Sequence, residues 1–386
     1  MSNLPNLPGP LASKSIGVLK QKSQCLPPFD GSKRGSLGSW TFSKLASVLP
    51  VSLWSKAVFL DAFLGGGSVS YRAKAYGFSE IHCNDWSIRS QLIALALIQN
   101  CSTTLTDMDI LLLLQPRSPG DIGLIEKEFS GRVFARRHAR VLDDILHNSQ
   151  QFSCPIKKAL ISVECWHLVT QLVAFATSVG SSNKPFAQVL DNEANWWELN
   201  PKRLQDGSFG KLLEPIHTKV KKIQKKINNG IIGAAGPISI YRQDALEFVR
   251  QARGSILYLD PPYAGTKDYE TSNKVLDAVL TGQLTSERVE KSPYSHGTEA
   301  LQELLHESAH IPIWLLSYGN KIVGLDDLVA LVQKARPNHA VKGWARLHRH
   351  YCHVSKNLDN QELLILSVDS NFLDVIERGG PLHATA

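Results

Sequence analysis

The sequence predicts an α/β protein: a doubly wound, mostly parallel sheet interrupted by a mainly helical insertion. Three observations predict it. Near the front, an apolar run at 58–63 enters a glycine turn and a helix signal, and a second strand and helix follow at once. Near the back, strand and helix signals alternate again, and the apolar run at 255–260 is the strongest of them. Between these two parts, residues 101–236 carry several helical patterns and few convincing strands. Apolar strands separated by helices are the pattern of a parallel sheet covered on both faces.

Each element has its own justification. Residues 1–24, rich in Pro, Ser, Asn and Lys, read as a flexible N-terminal segment, and globular structure is expected to begin near Leu26-Pro27-Pro28-Phe29. The run 58–63 reads as a buried strand ending at Gly65-Gly66-Gly67. A helix follows over 68–75, with Ser68 a candidate N-cap and Gly77 its stop. Residues 80–85 read as the second strand, and 88–99 have the apolar spacing of a helix. In the insertion, 134–147, 156–177 and 211–228 read as helices, and 178–184 as a Gly/Ser/Asn loop. The core then resumes with a strand at 238–242, a helix at 245–251, the strand at 255–260, a helix at 297–307, and strands at 313–317 and 363–368. Residues 371–386 form a C-terminal tail.

Composition sets the broad class. A chain of 386 residues with 43% hydrophobic and 20% charged residues can bury a sizeable core without staples. Its net charge of +7 is permissive for a polyanionic partner, because cationic side chains displace counterions from phosphates. None of the six cysteines forms a Cys-x-x-Cys pair, which argues against a zinc knuckle or a thioredoxin-type site. There is no signal-peptide pattern, and no apolar run approaches the ~20 residues that span a bilayer. A cytoplasmic, reducing location without a membrane partner is expected.

The chemistry centres on Asp260-Pro261-Pro262-Tyr263, at the end of the apolar strand. In open α/β sheets ligands bind at such strand ends. The proline rings fix φ and offer no N–H, so the backbone there presents rigid carbonyl acceptors. That suits an amine substrate. The Asp260 carboxylate and the Pro261 carbonyl can each accept one N–H, localising the lone pair and stabilising positive charge as it develops. Tyr263 offers a ring face on which a base can stack. A proline-terminated strand with a surface Asp and Tyr is the plainer alternative. Upstream, the turn after Asp61 lets backbone approach a cofactor closely, although it lacks the full Gly-x-Gly-x-x-Gly spacing. Asp85 ends the second strand, where it can bond ribose hydroxyls or cap the next helix, and Asp244 has the same two readings toward an adenine amine or the helix at 245–251.

With these residues in this order, the sequence resembles the Dam-like (alpha-class) adenine-N6-specific DNA methyltransferases. The matching pieces are Gly31-Ser32-Lys33-Arg34, Asp61 to Gly67, Asn84-Asp85, Gln243-Asp244, Asp260 to Tyr263, Ser317-Tyr318 and Glu362-Leu363-Leu364-Ile365. The usual Trp-Ala-Gly-Gly-Lys opening is reduced here to Phe29-Asp30-Gly31-Ser32-Lys33-Arg34. The resemblance implies a Rossmann-like methyltransferase sheet. It divides the chain into a cofactor side at 25–100, an inserted target-recognition domain at 101–236 and a base-binding side at 237–370. It implies S-adenosylmethionine as cofactor, bound by Lys33, Asp61, Phe63, Gly65, Gly67, Asp85, Asp244 and Asp260. Asp260, Pro261, Pro262 and Tyr263 would carry catalysis on an adenine flipped out of the stack. No metal is required. The implied partners are DNA and a cognate restriction enzyme, with the chain a monomer or weak dimer.

Basic residues that can reach DNA are Arg136, Arg137, Arg140, Lys184, Lys221, Lys222, Lys225, Arg346 and Arg349. The run from Lys219 to Lys226, with Lys211, can line phosphates or form a solvated helix face. Trp196-Trp197 can stack bases or pack a core. The alternation from Arg346 to His353 suits a β segment with one polar face better than a zinc site, since no second ligand group stands at the usual spacing. Two other functions stay open on sequence alone: methylation of a base amine in RNA, and nucleic-acid binding by a scaffold that has lost catalysis.

Overall fold

In a computed structural model the chain is described over residues 13–29, 31–131, 133–172, 214–264, 269–284, 292–347, 360–369 and 371–372. Seven strands form one sheet: β1 (Val58–Asp61), β2 (Glu80–Asn84), β3 (Ile238–Tyr241), β4 (Ile256–Leu259), β5 (Ile313–Gly319), β6 (Ala340–Leu347) and β7 (Gln361–Val368). Their order is β3-β2-β1-β4-β5-β7-β6. The pairs among β1 to β5 are parallel, and β7 enters antiparallel between β5 and β6. This is the predicted doubly wound, mostly parallel sheet. Successive crossovers run outward from β1 in one direction and from β4 in the other, so the strand order reverses between these two neighbours. At such a reversal the loops part and leave a crevice at the carboxyl ends of the strands.

Ahead of β1 lie α1 (Ser13–Lys22) and α2 (Ser36–Leu45), and α3 (Ser68–Tyr76) and α4 (Ile88–Ile93) follow β1 and β2. The insertion contributes α5 (Asp107–Leu113), α6 (Leu124–Phe129), α7 (Arg136–Ser149), α8 (Pro155–Leu172) and α9 (Ile216–Asn229). The second half adds α10 (Ala245–Gln251), α11 (Tyr269–Thr281), α12 (Glu299–Glu307) and α13 (Leu325–Ala335). Among the described residues no helix is long and apolar enough to cross a membrane.

The strands alternate between two cores. In β1, Phe59 joins a core with Phe42, Trp54 and Phe78, whereas Val58 and Leu60 face a second core with Phe248, Leu304 and Trp314. Trp54 stacks on Phe78 at 5.1 Å between centroids, and Phe42 meets Tyr76 edge-on at 4.9 Å. Each fully buried side chain of this size contributes about 1.5–3 kcal/mol relative to exposure. The first core continues through Leu160, Leu168 and Ile223 into α8 and α9, so the insertion is packed on the sheet's own hydrophobic layer.

Three local expectations are corrected. The lead-in is structured from Ser13: Leu19 and Ser23 are buried, and just beyond it the His167 ring of α8 lies 2.8 Å from the Cys25 carbonyl. A few buried anchors hold a segment whose composition alone reads as flexible. Ser68 does not cap α3. Gly67, with φ of 70°, occupies the cap, and the Ser68 hydroxyl instead accepts the backbone N–H of Lys33 at 3.0 Å. The helix expected over 88–99 is α-helical only to Ile93 and widens into π-helical turns over Ala94–Gln99. In the second half, α11 buries Val275, Leu276 and Val279, which recur at helical spacing.

Candidate active site

Asn84 ties three strand ends together. Its side-chain amide donates to the carbonyls of Ala62 and Gln243, both at 3.2 Å, and its oxygen accepts the Gln243 N–H at 3.3 Å. The ends of β1, β2 and β3 are thereby set side by side, and each delivers an acidic residue or its neighbour. The chain after β1 turns through Gly65 and Gly67, at φ of 49° and 70°, a region open to glycine without strain. A Cβ on Gly66 would meet the Phe29 ring stem at 2.7 Å, so the absence of a side chain also lets Phe29 close over the turn.

Asp85 braces that turn. One oxygen accepts the Gly65 N–H at 2.8 Å and the other the Ser87 N–H at 2.9 Å. Ser87 is the residue that caps α4, accepting from Arg89 at 3.2 Å. Asp244 does cap a helix: it is exposed, and it accepts the Leu246 N–H at the start of α10 at 2.7 Å. Asp61 is buried at 1% exposure. Ser70 donates to its Oδ2 at 2.6 Å, while Oδ1 has no hydrogen-bond partner. Burial pushes the Asp61 carboxyl up to about 7; the Ser70 bond opposes the rise, and the charges of Asp260 and Asp85 add to it. Burial likewise holds Asp85 above its ordinary range. Phe63 is half-buried, edge-on to Tyr294 at 5.1 Å.

Beyond β4, Asp260 to Tyr263 meet the end of β5 and the start of β7. The Tyr263 ring lies 5.0 Å from that of Tyr318, whose hydroxyl accepts the Ala264 N–H at 3.0 Å. A Cβ on Gly319 would approach the Tyr263 ring to 2.6 Å, so this glycine makes room for the ring. The Tyr263 hydroxyl lies 2.9 Å from Asp260 Oδ1 and 2.8 Å from Glu362 Oε1, and one O–H can donate to only one of them at a time. Lys33 closes the cluster: its Nζ donates to the Tyr263 oxygen at 2.6 Å and pairs with Glu362 at 2.7 Å and with Asp260 at 3.3 Å. Tyr258 donates to the second Asp260 oxygen at 3.2 Å, and Ser317 donates to Glu362 Oε1. Burial alone would lower the Lys33 ammonium, but Asp260 and Glu362 outweigh it and hold Lys33 above its usual range. Burial raises the Asp260 carboxyl; Lys33 opposes the rise and Glu362 adds to it. Both tyrosines are held well above the usual phenol range by burial and by these carboxylates, so they remain donors.

The structure thus brings Lys33, Asp61, Gly65, Gly67, Asp85 and Asp260 to Tyr263 to one side of the sheet. The Lys33 backbone reaches the glycine turn, and its side chain reaches the Asp260 side. Two residues were given no role by the sequence: Glu362, named there only as the first residue of a matching run, and Trp86. Glu362 stands at the head of the apolar run of β7, and a carboxylate leading a buried strand is the signal that marks it. Trp86, 56% exposed, follows Asp85 and accepts from Arg242 through its carbonyl at 3.0 Å.

The basic candidates spread over the insertion and one sheet edge. Arg136 pairs with Glu126 at 2.9 Å, Arg137 lies against His138, and Arg140 donates to the carbonyls of Ser118 and Pro119. Lys221 and Lys225 are exposed on α9, Lys222 pairs with Glu214, and Lys219 of the same run is buried. Arg346 donates to the Ser36 carbonyl at 3.1 Å and sits opposite Glu362 in the sheet. Lys184, Arg349, Lys211, Trp196-Trp197 and the histidines at 348, 350 and 353 lie outside the described residues. Among the described residues, no group of three or more His, Cys, Asp or Glu is placed to hold a metal ion.

Comparison with known proteins matches residues 41–278 to the D12 class N6 adenine-specific DNA methyltransferase family. The chain is 28% identical over 287 residues to the type II methyltransferase M2.HphI of Haemophilus parahaemolyticus, an alignment covering 70% of this chain and 78% of that protein. It is 24% identical over 300 residues to the type II methyltransferase M.NlaIII of Neisseria lactamica, covering 74% and 81%.

Proposed function

Because the chain belongs to the D12 class of N6 adenine-specific DNA methyltransferases, we propose that its strand ends divide the work, with S-adenosylmethionine on the Asp61–Asp85 side and a flipped target adenine on the Asp260–Tyr263 side. The carrying observation is the convergence of Asp61, Asp85 and Asp260 at the reversal of strand order, with the Tyr263 ring set against Tyr318. The protein is a site-specific adenine DNA methyltransferase, and the rival readings as an RNA enzyme or a silent scaffold give way to it.

The residues present fit the cofactor. Asp61 Oδ1 is buried without a partner, and the neighbouring carboxylates favour a ligand that carries positive charge. Asp61 would face its cationic part, Gly65 and Gly67 would let it approach the backbone, and Asp85 and Asp244 would take its ribose and adenine. Trp86 offers an exposed ring beside Asp85 on which the adenine can stack. When bound, this cofactor supplies the methyl group on a sulfonium.

On the other side, Asp260 and the Pro261 carbonyl accept the two N–H bonds of the adenine amine. Their negative charge and dipole stabilise the amine as it becomes positive. The sheet supplies orientation. Asp260 need not be a strong base, because the methylated amine gives up its proton after transfer. In the resting structure the Tyr263 hydroxyl and Lys33 both occupy Asp260 Oδ1, so base entry requires Tyr263 to leave that oxygen.

In this reading residues 101–236 form the target-recognition domain, and the cations of α7 and α9, together with Arg346, meet phosphates. The type II relatives make a cognate restriction enzyme the expected companion, acting on DNA in the same cytoplasm. The test is methyl transfer from labelled S-adenosylmethionine to mixed genomic DNA and to total RNA, with Asp260→Ala as control and the product nucleoside identified by mass. N6-methyladenine in DNA, lost in the variant, is expected; label confined to RNA would refute the reading.

A further inference from the structure

We infer that Glu362 is a positioning residue of the base pocket, holding the Lys33 ammonium so that the Asp260 carboxylate stays available to the adenine amine. The inference rests on the reading of Asp260 as the amine acceptor. Glu362 lies beyond residues 41–278 that match the family, and it is 1% exposed. Its place is set by the sheet, since β7 pairs it with Gly319 on one side and Arg346 on the other.

Three donors converge on its Oε1: Lys33 at 2.7 Å, Tyr263 at 2.8 Å, and Ser317. Its other oxygen is buried without a partner. Lys33, 3% exposed, is closer to Glu362 than to Asp260, at 2.7 against 3.3 Å. A buried ammonium does not stay without a counter-charge. With Glu362 in place, Lys33 has one that does not belong to the substrate. When the Tyr263 hydroxyl moves off Asp260, it still has Glu362 as acceptor, and the charge of Asp260 is left largely free for the amine.

Without the Glu362 carboxylate, Asp260 becomes the remaining counter-ion within reach of Lys33. A carboxylate locked onto an ammonium is a poorer acceptor for a neutral amine. The ammonium beside it also repels the positive charge that develops on that amine. Lys33 is useful only in company: it allows two neighbouring carboxylates to be ionised together, but it competes for one of them unless the other holds it.

The experiment compares Glu362→Gln alone with the same change made together with Lys33→Met, reading initial methyl transfer to mixed genomic DNA and the dissociation constant for S-adenosylmethionine. Glu362→Gln is expected to slow transfer about 10- to 100-fold, the span of a lost charge-assisted hydrogen bond. Cofactor affinity is expected to hold within about twofold, as for a separate site. Adding Lys33→Met is expected to recover about tenfold or more of the rate, a coupling that a folding defect would not show. The inference is overturned by an undiminished rate in Glu362→Gln, by a loss that Lys33→Met does not relieve, or by a parallel loss of cofactor affinity. Asp260→Asn separates the two levels: if it keeps the wild-type rate, the reading of Asp260 itself falls and takes the inference with it; if it loses the rate, a failure at Glu362 belongs to the inference alone.

Discussion

Replacing Asp61 with asparagine removes the charge of a carboxyl that burial has moved from its ordinary 3.8 up to about 7. The folded protein therefore holds a proton on this group where the unfolded chain has lost it, between about pH 4 and 7. Stability falls as pH rises through that window, and the full penalty is present above it. A rise of that size corresponds to ~4 kcal/mol. A cationic ligand facing Asp61 relieves the penalty, so proton and ligand compete. Wild-type affinity for S-adenosylmethionine is expected to improve about tenfold per pH unit up to about pH 7 from this group, then to level off. Asp85 and Asp260, which burial also raises, add to the wild-type slope, so the share of Asp61 is read from the difference between the two proteins. The assay is a cofactor titration at pH 5.5, 7 and 8.5, paired with urea unfolding at the same pH values. The Asp61→Asn variant should flatten the affinity profile and should gain stability relative to wild type as pH rises. Identical pH profiles for wild type and variant, in affinity and in unfolding, would refute the reasoning.

Other perturbations have equally defined outcomes. Gly319→Ala places a Cβ 2.6 Å from the Tyr263 ring, so methyl transfer should fall about tenfold or more through misplacement of the ring, while a thermal melt shifts by only a few degrees; full activity would show that Tyr263 has room to spare. Trp86→Ala should weaken cofactor binding by about 1–3 kcal/mol, the scale of base–aromatic stacking, as measured by equilibrium titration. Changing the exposed Lys221 and Lys225 to glutamine should lower the slope of log affinity against log salt by about 2 in total if both meet phosphates, and leave it unchanged if α9 is a solvated face.

Period and punctuation made the sheet readable. The runs at β1, β4 and β5 are apolar on both faces, which only a doubly covered parallel strand requires, and glycines close the turns beside β1 and α3. β6 was read only at its end, where the β segment expected over 346–353 overlaps it at Arg346 and Leu347, because it is an edge strand. Its Lys342, Trp344 and Arg346 share one side and remain partly in solvent, with Lys44 over the Trp344 ring at 4.6 Å and Arg346 over Trp40 at 5.8 Å. Cation–aromatic contacts between distant segments leave no apolar period to detect. The π-helical widening after Ile93 escaped for another reason: it keeps the same apolar residues inside and changes only the hydrogen-bond register.

The site was legible in proportion to how locally it is built. Asp260 to Tyr263 announce themselves because two prolines and the end of a buried strand are adjacent in the chain. The same holds for Asp61 with its glycine turn. Asp85 and Asp244 show the limit of that approach, because both stand where a helix cap and a ligand contact look alike. The structure separates the two roles differently at each: Ser87 takes the cap of α4, whereas Asp244 caps α10 through Oδ1, so in the proposed reading its part toward the cofactor falls to Oδ2. Lys33 and Glu362 mark a second limit. Lys33 reaches Tyr263 across 230 positions of chain, and Tyr263 reaches Glu362 across another 99. No spacing rule joins them. What joins them is electrostatic: a buried ammonium, a buried carboxylate and the half-buried Asp260 carry charges that hydroxyl donors alone do not offset, so the fold that encloses them brings opposite charges together. A lone charge at the head of an apolar strand, as at Glu362, is therefore a question the sequence poses, and its answer lies in the opposite charge that the topology delivers to the same strand ends.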